Sequence, residues 1–497
     1  MKAAELLVRC LENEGVEYIF GLPGEENVDV MDVLLDSPIR FITVRHEQGA
    51  AFMADVYGRL TGRPGVCLST LGPGATNLMT GFADANMDHA PIVAIAGQGA
   101  TTRMHKESHQ MLDLDTLFAP VSKYSVEIVE PEIIPELVRK AFKVSQTEKP
   151  GGAFISFPEN VASQEVPDDV QPLKVQQAAT PVPPPHKISE AAELISAAEQ
   201  PLILAGNGVI RGEASEPLVA FAEALNIPVA NTFMAKGVIP ASHPLSLGTV
   251  GLQARDYIAC GFDRADVIIC VGFDMVEYPP AAWHPGKDKK IVHIDRLYAE
   301  VDAHYMLEIG VVGDIAGSLD AIRAQSRRHR EHNMGDLRAV IHEEFGALNE
   351  DDSFPIKPQR ILHDVRQALD VDDIVISDVG AHKMWIARMY PAERPNTCLI
   401  SNGFAAMGIG LPGAIAASLV HPERVVLTLT GDAGFLMNSQ ELETALRLEL
   451  SLVVLIWNDS QYGLIKWHQD REFGRDSHID FNNPDFVKFA ESFGARG

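Results

Sequence analysis

The chain has 497 residues, enough for about three domains of ordinary size. Its hydrophobic fraction of 46% and its mean hydropathy near zero are typical of a globular protein. The formal net charge of −27 disfavours nucleic acid or an anionic membrane surface as a partner, because both need clustered Lys and Arg.

The cysteines and the N-terminus favour an intracellular protein. Segment 1–15 carries charges throughout, which predicts an amphipathic helix and not a secretory signal. No apolar run approaches the ~20 residues that cross a bilayer. Scattered cysteines without a CxxC pair favour buried, reduced thiols. They are Cys10, Cys67, Cys260, Cys270 and Cys398. We expect a cytoplasmic location.

Short apolar runs alternate with helical patterns over residues 1–165. The runs YIFGLPG, IRFITVRH, GVCLSTLGPG, APIVAIAG and GAFISFPE each predict a buried strand that ends at a Gly or Pro turn. Segments between them, such as EQGAAFMADVYGRLTG, have helical spacing. Alternating strands and helices predict a parallel α/β sheet, and we predict a first doubly wound domain here.

Two polar segments divide the rest of the chain. Residues 166–187, with the run PVPPP, are typical of an extended interdomain linker. Residues 188–330 contain PLILAGNGVI, ADVIICVGF and KIVHIDR, which predict a second α/β domain. After a polar linker at 331–357, the runs DIVISDVG, RVVLTLTGD and LSLVVLIWND predict a third α/β domain over 358–497. No strand follows its last helical pattern, so we expect this domain to be incomplete at its C-terminal end.

Two acids follow neighbouring strands of the third predicted domain. Asp432 ends RVVLTLTGD, and Asp459 ends LSLVVLIWND. If these strands are parallel neighbours, both acids lie at the edge of the sheet where ligands bind. Two carboxylates with a loop carbonyl suit Mg²⁺, and phosphate oxygens often complete the coordination shell of this ion. Glycine turns supply N–H donors for the same phosphates. Alternatively, Asp432 caps a helix and Asp459 begins a turn.

The spacing of these acids resembles the signature of enzymes that bind thiamine diphosphate (ThDP). That signature is GDG, a helix and a strand, and then NN; here GDAG precedes WNDSQYG, with the acids 27 positions apart. Ala433 replaces the last glycine, and Asp459 replaces the usual second asparagine. The resemblance implies that Mg²⁺ is bound by the side chains of Asp432 and Asp459 and by the carbonyl of Gln461, with one extra negative charge in the site.

Other motifs extend the resemblance over essentially the whole chain. Glu47 alone could merely favour the dipole of the helix that it begins. However, FGLPGEEN, RHEQGAAFMADVYGR, TLGPGATN and GFADANMDHAPIVAIAGQ occur in order over residues 20–98, and SDVGAHKMWIAR and SNGFAAMGIGLPGAIAA follow later. Together they resemble the acetohydroxyacid synthase branch of ThDP enzymes. The resemblance implies pyrimidine-binding, central and diphosphate-binding domains, in that order.

The resemblance also implies roles for individual residues. Glu47 would exchange a proton with the aminopyrimidine ring of ThDP, and Gln110, next to His109, would lie near the reacting carbon. Lys123 is a weaker catalytic candidate, since a solvated lysine fits nearly as well. Met407 would hold ThDP bent, unless it is an ordinary core methionine. The residues implied to contact ThDP are Pro23, Gly24, Glu47, Thr70, Gly74, Asn77, Gly380, Ala381, His382, Ala405, Met407, Asp432, Ala433, Gly434 and Tyr462.

Several segments resemble the catabolic acetolactate synthases, which do without FAD. FAD-binding members carry a segment resembling RFDDRVTG, whereas residues 271–285 read VGFDMVEYPPAAWHP and lack its arginines. AGNGVIRG, at 205–212, resembles a dinucleotide loop only weakly, and we interpret it as a strand-to-helix turn. The resemblance implies ThDP and Mg²⁺ as cofactors, with FAD unlikely. The implied reaction decarboxylates pyruvate and joins the two-carbon unit to a second pyruvate, giving 2-acetolactate.

Other functions stay open at this point. A decarboxylase like pyruvate decarboxylase, an acetyltransferase like the sulfoacetaldehyde enzyme, or a flavin-linked oxidase would share the cofactor site. A non-catalytic subunit of the same fold is a different class, disfavoured by intact Glu47, Asp432 and Asp459. His468 stands where a tryptophan favours 2-oxobutyrate as acceptor in the biosynthetic enzymes, so we predict pyruvate. The family arrangement, with ThDP bound between two chains, implies a homodimer or homotetramer.

Overall fold

The computed structural model describes residues 1–176, 179–251, 257–329 and 334–497, and these form two compact units. Unit 1 comprises Met1–Gln177, Asp378–Gly380 and Gly403–Gly497, and unit 2 comprises Ala178–Ser377 and Ala381–Asn402. The third predicted domain therefore contributes residues to both units. The domain boundaries drawn from the sequence stay predictions.

The N-terminal part of unit 1 is a parallel α/β sheet. Its strands are β1 (Tyr18–Gly21), β2 (Arg40–Thr43), β3 (Gly65–Ser69), β4 (Ile92–Gln98), β5 (Tyr124–Glu127) and β6 (Gly152–Pro158). They lie in the order β2-β1-β3-β4-β6-β5. Its helices are α1 (Ala3–Asn13), α2 (Val28–Leu34), α3 (Glu47–Thr61), α4 (Pro73–Met87), α5 (Leu114–Phe118), α6 (Ile134–Gln146) and α7 (Glu159–Ala162). Strands β3, β4 and β6 are buried along their whole length, as expected for a sheet covered by helices on both faces.

Unit 2 contains a second parallel sheet. Its strands are β7 (Pro201–Ala205), β8 (Val229–Asn231), β9 (Ser246–Thr249), β10 (Val267–Val271), β11 (Lys290–Asp295) and β12 (Ile309–Val312). They lie in the order β12-β11-β10-β7-β8-β9. The helices of this part are α8 (Pro185–Ala197), α9 (Gly208–Arg211), α10 (Ser215–Leu225), α11 (Tyr257–Arg264), α12 (Pro280–Trp283) and α13 (Ile315–Gln325).

The remaining elements of unit 2 include one inside a predicted linker. Helix α14 (Gly335–Gly346) lies within the segment 331–357, of which residues 331–333 are outside the described part. It is followed by α15 (Pro358–Ala368), β13 (Ile374–Ser377), α16 (Ala381–Met389) and β14 (Cys398–Ile400). Strands β13 and β14 pair in parallel.

Unit 1 is completed by the C-terminal segment. Its elements are α17 (Gly410–Val420), β15 (Val426–Gly431), α18 (Asp432–Met437), α19 (Leu442–Arg447), β16 (Leu452–Trp457), α20 (Gly463–Phe473) and α21 (Phe486–Phe493). Strands β15 and β16 pair in parallel over their full length. The apolar run of β16 predicts a buried strand, but every β16 residue is partly or fully exposed in the structure.

Two further sequence expectations meet the structure here. Cys10, Cys67, Cys270 and Cys398 are buried free thiols, but Cys260 is exposed, so the prediction of buried thiols was wrong for Cys260. Cys260 lies on α11, whose buried face is formed by Ile258, Gly261 and Phe262. No helix among the described residues is long and apolar enough to cross a membrane.

Lys236 is a buried cation in unit 2, with 6% of its surface exposed. Its ammonium donates hydrogen bonds to Thr249 Oγ1 at 3.2 Å and to the carbonyl of Ala387 at 2.9 Å. Burial lowers the pKa of Lys236 to about 8 from its ordinary value of 10.5. Between these two values the unfolded chain binds more protons than the folded chain, so stability due to Lys236 rises with pH.

This shift predicts a pH-dependent effect of Lys236→Met. From about pH 7.5 to about pH 10.5, the free energy of unfolding of the wild type should rise by about 3 kcal/mol relative to that of the variant. Urea unfolding at several pH values measures the difference. Lys290→Met, at an exposed position of β11, is the control and should show no such change. A constant difference between the wild type and Lys236→Met would contradict the prediction.

Candidate active site

Glu47 is the first residue of α3, where the chain leaves β2. Its Oε2 accepts a hydrogen bond from Asn77 Nδ2 at 2.9 Å, and Asn77 lies near the start of α4. A Cβ atom at Gly74 would lie 3.3 Å from Glu47 Oε1 and 2.8 Å from Thr70 Cγ2. The structure therefore brings together four of the predicted site residues: Glu47, Thr70, Gly74 and Asn77.

Thr70 joins this group to the loop after β1. Its hydroxyl donates a hydrogen bond to Glu26 Oε2 at 2.7 Å. A Cβ atom at Gly24 would lie 2.3 Å from Thr70 Cβ, so only glycine permits this approach. Pro23 precedes Gly24 and is exposed. Glu26 was not predicted, because the motif GEEN offers two adjacent acids and does not say which one meets Thr70.

Gln110 lies beside the turn between β3 and α4. A Cβ atom at Gly72 would come within 2.7 Å of the Gln110 carbonyl oxygen. Arg103 holds this loop by donating to Ser108 Oγ at 2.9 Å and to the carbonyl of His109 at 3.1 Å. Both His109 and Gln110 are exposed. The backbone of Gln110 is thus close to the Glu47 group.

Lys123 lies at the other edge of the same sheet. It directly precedes β5, and its backbone N–H donates to the carbonyl of Gly152 at the start of β6. Its ammonium donates to the carbonyls of Thr147 and Lys149. Glu47 and Thr70 follow the carboxyl ends of their strands, whereas Lys123 stands at the amino ends. The structure therefore does not bring Lys123 to the Glu47 group.

Asp432 and Asp459 lie side by side after β15 and β16. Asp432 is buried, and its Oδ2 accepts hydrogen bonds from the backbone N–H groups of Asp459 at 3.2 Å and Ser460 at 2.7 Å. Asn483 Nδ2 donates to the same oxygen at 2.7 Å and to Asn458 Oδ1 at 2.9 Å. The sequence predicts the pairing of the acids. It does not predict Asn483, which reaches the turn only because the chain folds back.

The donor set at this turn fits a Mg²⁺ ion. Burial and the nearby Asp432 carboxylate raise the pKa of Asp459, and a bound cation would relieve that repulsion. The Gln461 carbonyl accepts from the Gly463 N–H at 3.0 Å and keeps a second lone pair for a metal. Tyr462 follows and is 40% exposed. Within the described residues, no group of three His, Cys, Asp or Glu side chains is arranged to hold a metal.

Asp378 organises the loop that carries Met407. Its Oδ1 accepts from the Gly408 N–H at 2.9 Å, and its Oδ2 accepts from the Gly410 N–H at 3.1 Å and from Thr430 Oγ1 at 3.1 Å. Burial raises the pKa of this carboxyl group. A Cβ atom at Gly434 would lie 3.1 Å from Asp378 Oδ1. Asp378 was not among the predicted residues, although its place at the end of DIVISD resembles that of Asp432.

The loop itself has two features suited to ligand contact. Ala405 has a positive φ of 56°, and Met407 is only half-buried. A half-buried methionine fits a ligand-facing role better than a place in the core. Asp84 Oδ1 accepts from the Ala406 N–H at 3.0 Å, and Asp88 accepts from the N–H of Gly403.

The remaining predicted diphosphate contacts belong to different parts of the chain. Gly380 lies in unit 1, whereas Ala381 and His382 begin α16 in unit 2, where His382 is buried. In unit 1, Ala433 and Gly434 directly follow Asp432 in the first turn of α18, and the N–H of Ala433 donates to Asp432 Oδ1 at 2.8 Å.

The loop AGNGVIRG in unit 2 is a strand-to-helix turn, as interpreted from the sequence. The N–H of Gly206 donates to the carbonyl of Val271 at 2.9 Å, and the N–H of Gly208 donates to the carbonyl of Gly272 at 2.8 Å. The N–H of Asn207 donates to Glu277 Oε1 at 3.0 Å. Three consecutive N–H groups of this loop are thus bonded within the unit.

Comparison with known proteins covers the whole chain. Residues 1–117 match the N-terminal TPP binding domain of thiamine pyrophosphate enzymes, residues 188–322 the central domain, and residues 378–497 the C-terminal TPP binding domain. The chain is 37% identical over its full length to an acetolactate synthase of Bacillus subtilis, of which the match spans 88%. The chain belongs to the acetolactate synthase family of thiamine pyrophosphate enzymes.

Two further relatives have similar identities. A catabolic acetolactate synthase of Raoultella terrigena is 36% identical over 99% of this chain and 89% of its own length. A probable acetolactate synthase large subunit of Methanocaldococcus jannaschii is 37% identical over 100% of this chain and 87% of its own length. The predicted family, the ThDP-dependent enzyme class and the α/β fold with three parallel-sheet domains are confirmed.

Proposed function

We propose that this enzyme decarboxylates pyruvate and joins the remaining two-carbon unit to a second pyruvate, giving 2-acetolactate and CO₂. The observation that carries the proposal is the Glu47 carboxylate, held by Asn77 at the edge of the first sheet. A binding subunit has no need of an oriented acid at this position. The full-length similarity to acetolactate synthases supports the choice of reaction.

The residues of unit 1 fit ThDP and Mg²⁺ at two places. Glycines at positions 24 and 74 let the backbone approach Thr70 and Glu47 more closely than a Cβ atom would allow, and so bring together the groups that would contact the aminopyrimidine ring. Asp432, Asp459 and the Gln461 carbonyl would hold Mg²⁺, and the backbone at Gly380, Ala433 and Gly434 would meet the diphosphate. When bound, ThDP supplies the electron sink for decarboxylation.

The protein side chains orient the cofactor and move its proton. With ThDP bound, Glu47 would hold or release a proton at its carboxyl group in exchange with the aminopyrimidine ring. Asn77 fixes the direction of this carboxylate through its 2.9 Å hydrogen bond. Met407, on the loop held by Asp378, would support the bent cofactor, and Gln110 would lie near the substrate. His109 and Tyr462 are proposed neighbours of that space; Lys123 is not included.

We propose that the enzyme works without FAD. The N–H of Asn207 donates to the Glu277 carboxylate, so this donor of the glycine-containing loop is already used within the protein. Thr232 also donates its hydroxyl to Glu277, and Arg211 pairs with Asp274 at 3.0 Å. A Cβ atom at Gly206 would lie 2.4 Å from the Gly272 carbonyl oxygen, so the loop packs directly against the backbone after β10.

Turnover of pyruvate alone tests the proposal. With ThDP and Mg²⁺ added, we expect 2-acetolactate and CO₂ in equal amounts, and the same rate with or without FAD. Omitting ThDP is the control. Formation of acetaldehyde without acetolactate would contradict the proposal and indicate a decarboxylase, whereas a yellow protein that needs FAD would contradict the flavin-independent assignment.

The domain roles and the assembly follow the family arrangement. We propose residues 1–165 as the pyrimidine-binding domain, 188–330 as the central domain and 358–497 as the diphosphate-binding domain. The three matched segments fall inside these bounds. We also propose a cytoplasmic homodimer or homotetramer, in which ThDP is bound between two chains, and pyruvate as both donor and acceptor.

A further inference from the structure

Glu441 is a buried carboxylate next to the segment that carries Glu47. It has no exposed surface, although it lies 395 positions from His46 in the sequence. Its Oε1 accepts hydrogen bonds from the backbone N–H groups of Arg45 at 3.1 Å and His46 at 3.0 Å. These are the last two residues before α3, which begins at Glu47.

Three other contacts define this arrangement. Thr444 donates its hydroxyl to Glu441 Oε2 at 2.6 Å, which fixes the carboxylate plane. A Cβ atom at Gly49 would lie 2.8 Å from Glu441 Oε1, so a glycine in the first turn of α3 permits the approach. The guanidinium of Arg447 donates to the carbonyl of Thr43, at the end of β2. The segment at 441–447 therefore contacts both ends of the turn that leads from β2 to Glu47.

The chemistry of these contacts explains why a carboxylate is suited to the position. The first N–H groups of a helix and of the turn before it have no partners within the helix, and a negative charge there is favourable. His46 Nδ1 accepts from the Gln48 N–H at 3.1 Å, which satisfies one of these donors. Glu441 satisfies the two preceding donors. The backbone around the start of α3 is thus held by two side chains, the imidazole of His46 and the carboxylate of Glu441.

We propose that Glu441 is a positioning residue that sets the place of Glu47 for proton exchange with the cofactor. The inference rests on the proposed function, since it assumes that Glu47 exchanges a proton with the aminopyrimidine. The hydrogen bonds that the Glu441 carboxylate accepts within the described residues come from the backbone of residues 45 and 46 and from the hydroxyl of Thr444, so its effect on the cofactor passes through Glu47. It connects the segment after the Asp432 turn to the acid of the first sheet, within unit 1.

The test measures how fast bound ThDP exchanges its thiazolium C2 proton for deuterium, together with kcat and KM for pyruvate. A displacement of about 1 Å can cost about 100-fold in rate. We expect Glu441→Ala to slow both C2 exchange and kcat by about 10- to 100-fold, with little change in KM. Glu441→Gln keeps an oxygen for the two N–H donors, so its C2 exchange rate and kcat should fall much less than those of Glu441→Ala.

Two further variants separate positioning from stability. Gly49→Ala crowds the same carboxylate and should slow exchange even if Glu441→Ala does not fold. Glu14→Gln is the control, since Glu14 is a buried carboxylate paired with Arg139 in another part of unit 1. It should lower the Tm without slowing exchange in the folded enzyme. Normal exchange in folded Glu441→Ala and Gly49→Ala proteins would overturn the proposal.

A double variant distinguishes this inference from the proposed function. If Glu441 acts through Glu47, adding Glu441→Ala to Glu47→Gln should slow C2 exchange no further than Glu47→Gln alone. An additive loss would overturn the positioning role. If Glu47→Gln by itself leaves exchange at the wild-type rate, the proposed role of Glu47 fails instead.

Discussion

Glu47→Gln should lower kcat for acetolactate formation by about 100- to 10,000-fold, the usual cost of losing a general acid or base. Glutamine keeps the size of the side chain and can still bond to Asn77, which lies 2.9 Å from the carboxylate. It cannot take or release a proton at the required pH. The loss should therefore appear in kcat, while the Tm and the binding of ThDP change little. Steady-state kinetics with pyruvate and a ThDP titration measure these quantities.

Two variants make the Glu47 experiment specific. Glu132→Gln, at an exposed position of the same sheet domain, removes an equal charge and should leave kcat unchanged. Asn77→Ala leaves the acid in place without its hydrogen-bond donor, so it should give a smaller loss than Glu47→Gln. A Glu47→Gln enzyme that retained the wild-type kcat would show that another group performs the proton transfer.

Asp432→Asn should weaken Mg²⁺ binding by at least about 100-fold, since changes to groups that only orient metal ligands already cost about 10- to 100-fold. The carboxylate at this position also accepts hydrogen bonds from Ser460 at 2.7 Å and from Asn483 at 2.7 Å. In asparagine an NH₂ group replaces one of the two oxygens. This group can neither accept these hydrogen bonds nor bind a metal ion. Activity and intrinsic fluorescence during a Mg²⁺ titration measure the affinity.

Asp459→Asn separates charge from coordination at the same turn. Asparagine keeps one ligand oxygen and removes the charge whose burial, together with repulsion from Asp432, raises the pKa of Asp459. We therefore expect a loss of Mg²⁺ affinity well below that of Asp432→Asn, and a less steep dependence of activity on Mg²⁺ concentration. Asp169→Asn, at an exposed position without a metal role, is the control. Equal affinity in the wild type and Asp432→Asn would contradict the metal site.

The meeting of Asp432 and Asp459 was predictable because the two residues follow consecutive strands of one parallel sheet. Parallel neighbouring strands end at the same edge, so Asp432 and Asp459 had to meet once β15 and β16 paired. Glu47 was identified through a resemblance, since a glutamate at the start of a helix is common for electrostatic reasons alone. Its contact with Asn77 needed only the packing of α3 against α4.

Other parts of the site depend on long-range folding. Asn483 and Asp378 lack any local pattern that marks them, and each acquires its role from hydrogen bonds to residues 25 to 52 positions away. Lys123 precedes a strand whose amino end faces away from the site edge, which a motif cannot reveal. The partial exposure of β16 likewise contrasts with its apolar composition, because burial depends on what covers a strand and not on its own residues.

The amino-acid sequence by itself determined the α/β class, the family and the residue types that can bind a divalent cation and a diphosphate. These follow from local periodicity and from short motifs, in which neighbouring residues carry the signal. Only the tertiary structure decided that Glu441 lies against the backbone before Glu47 and that Glu277 is bonded to the N–H of Asn207. Both contacts join residues at least 70 positions apart, and a buried carboxylate finds its donors only when the backbone has folded around it.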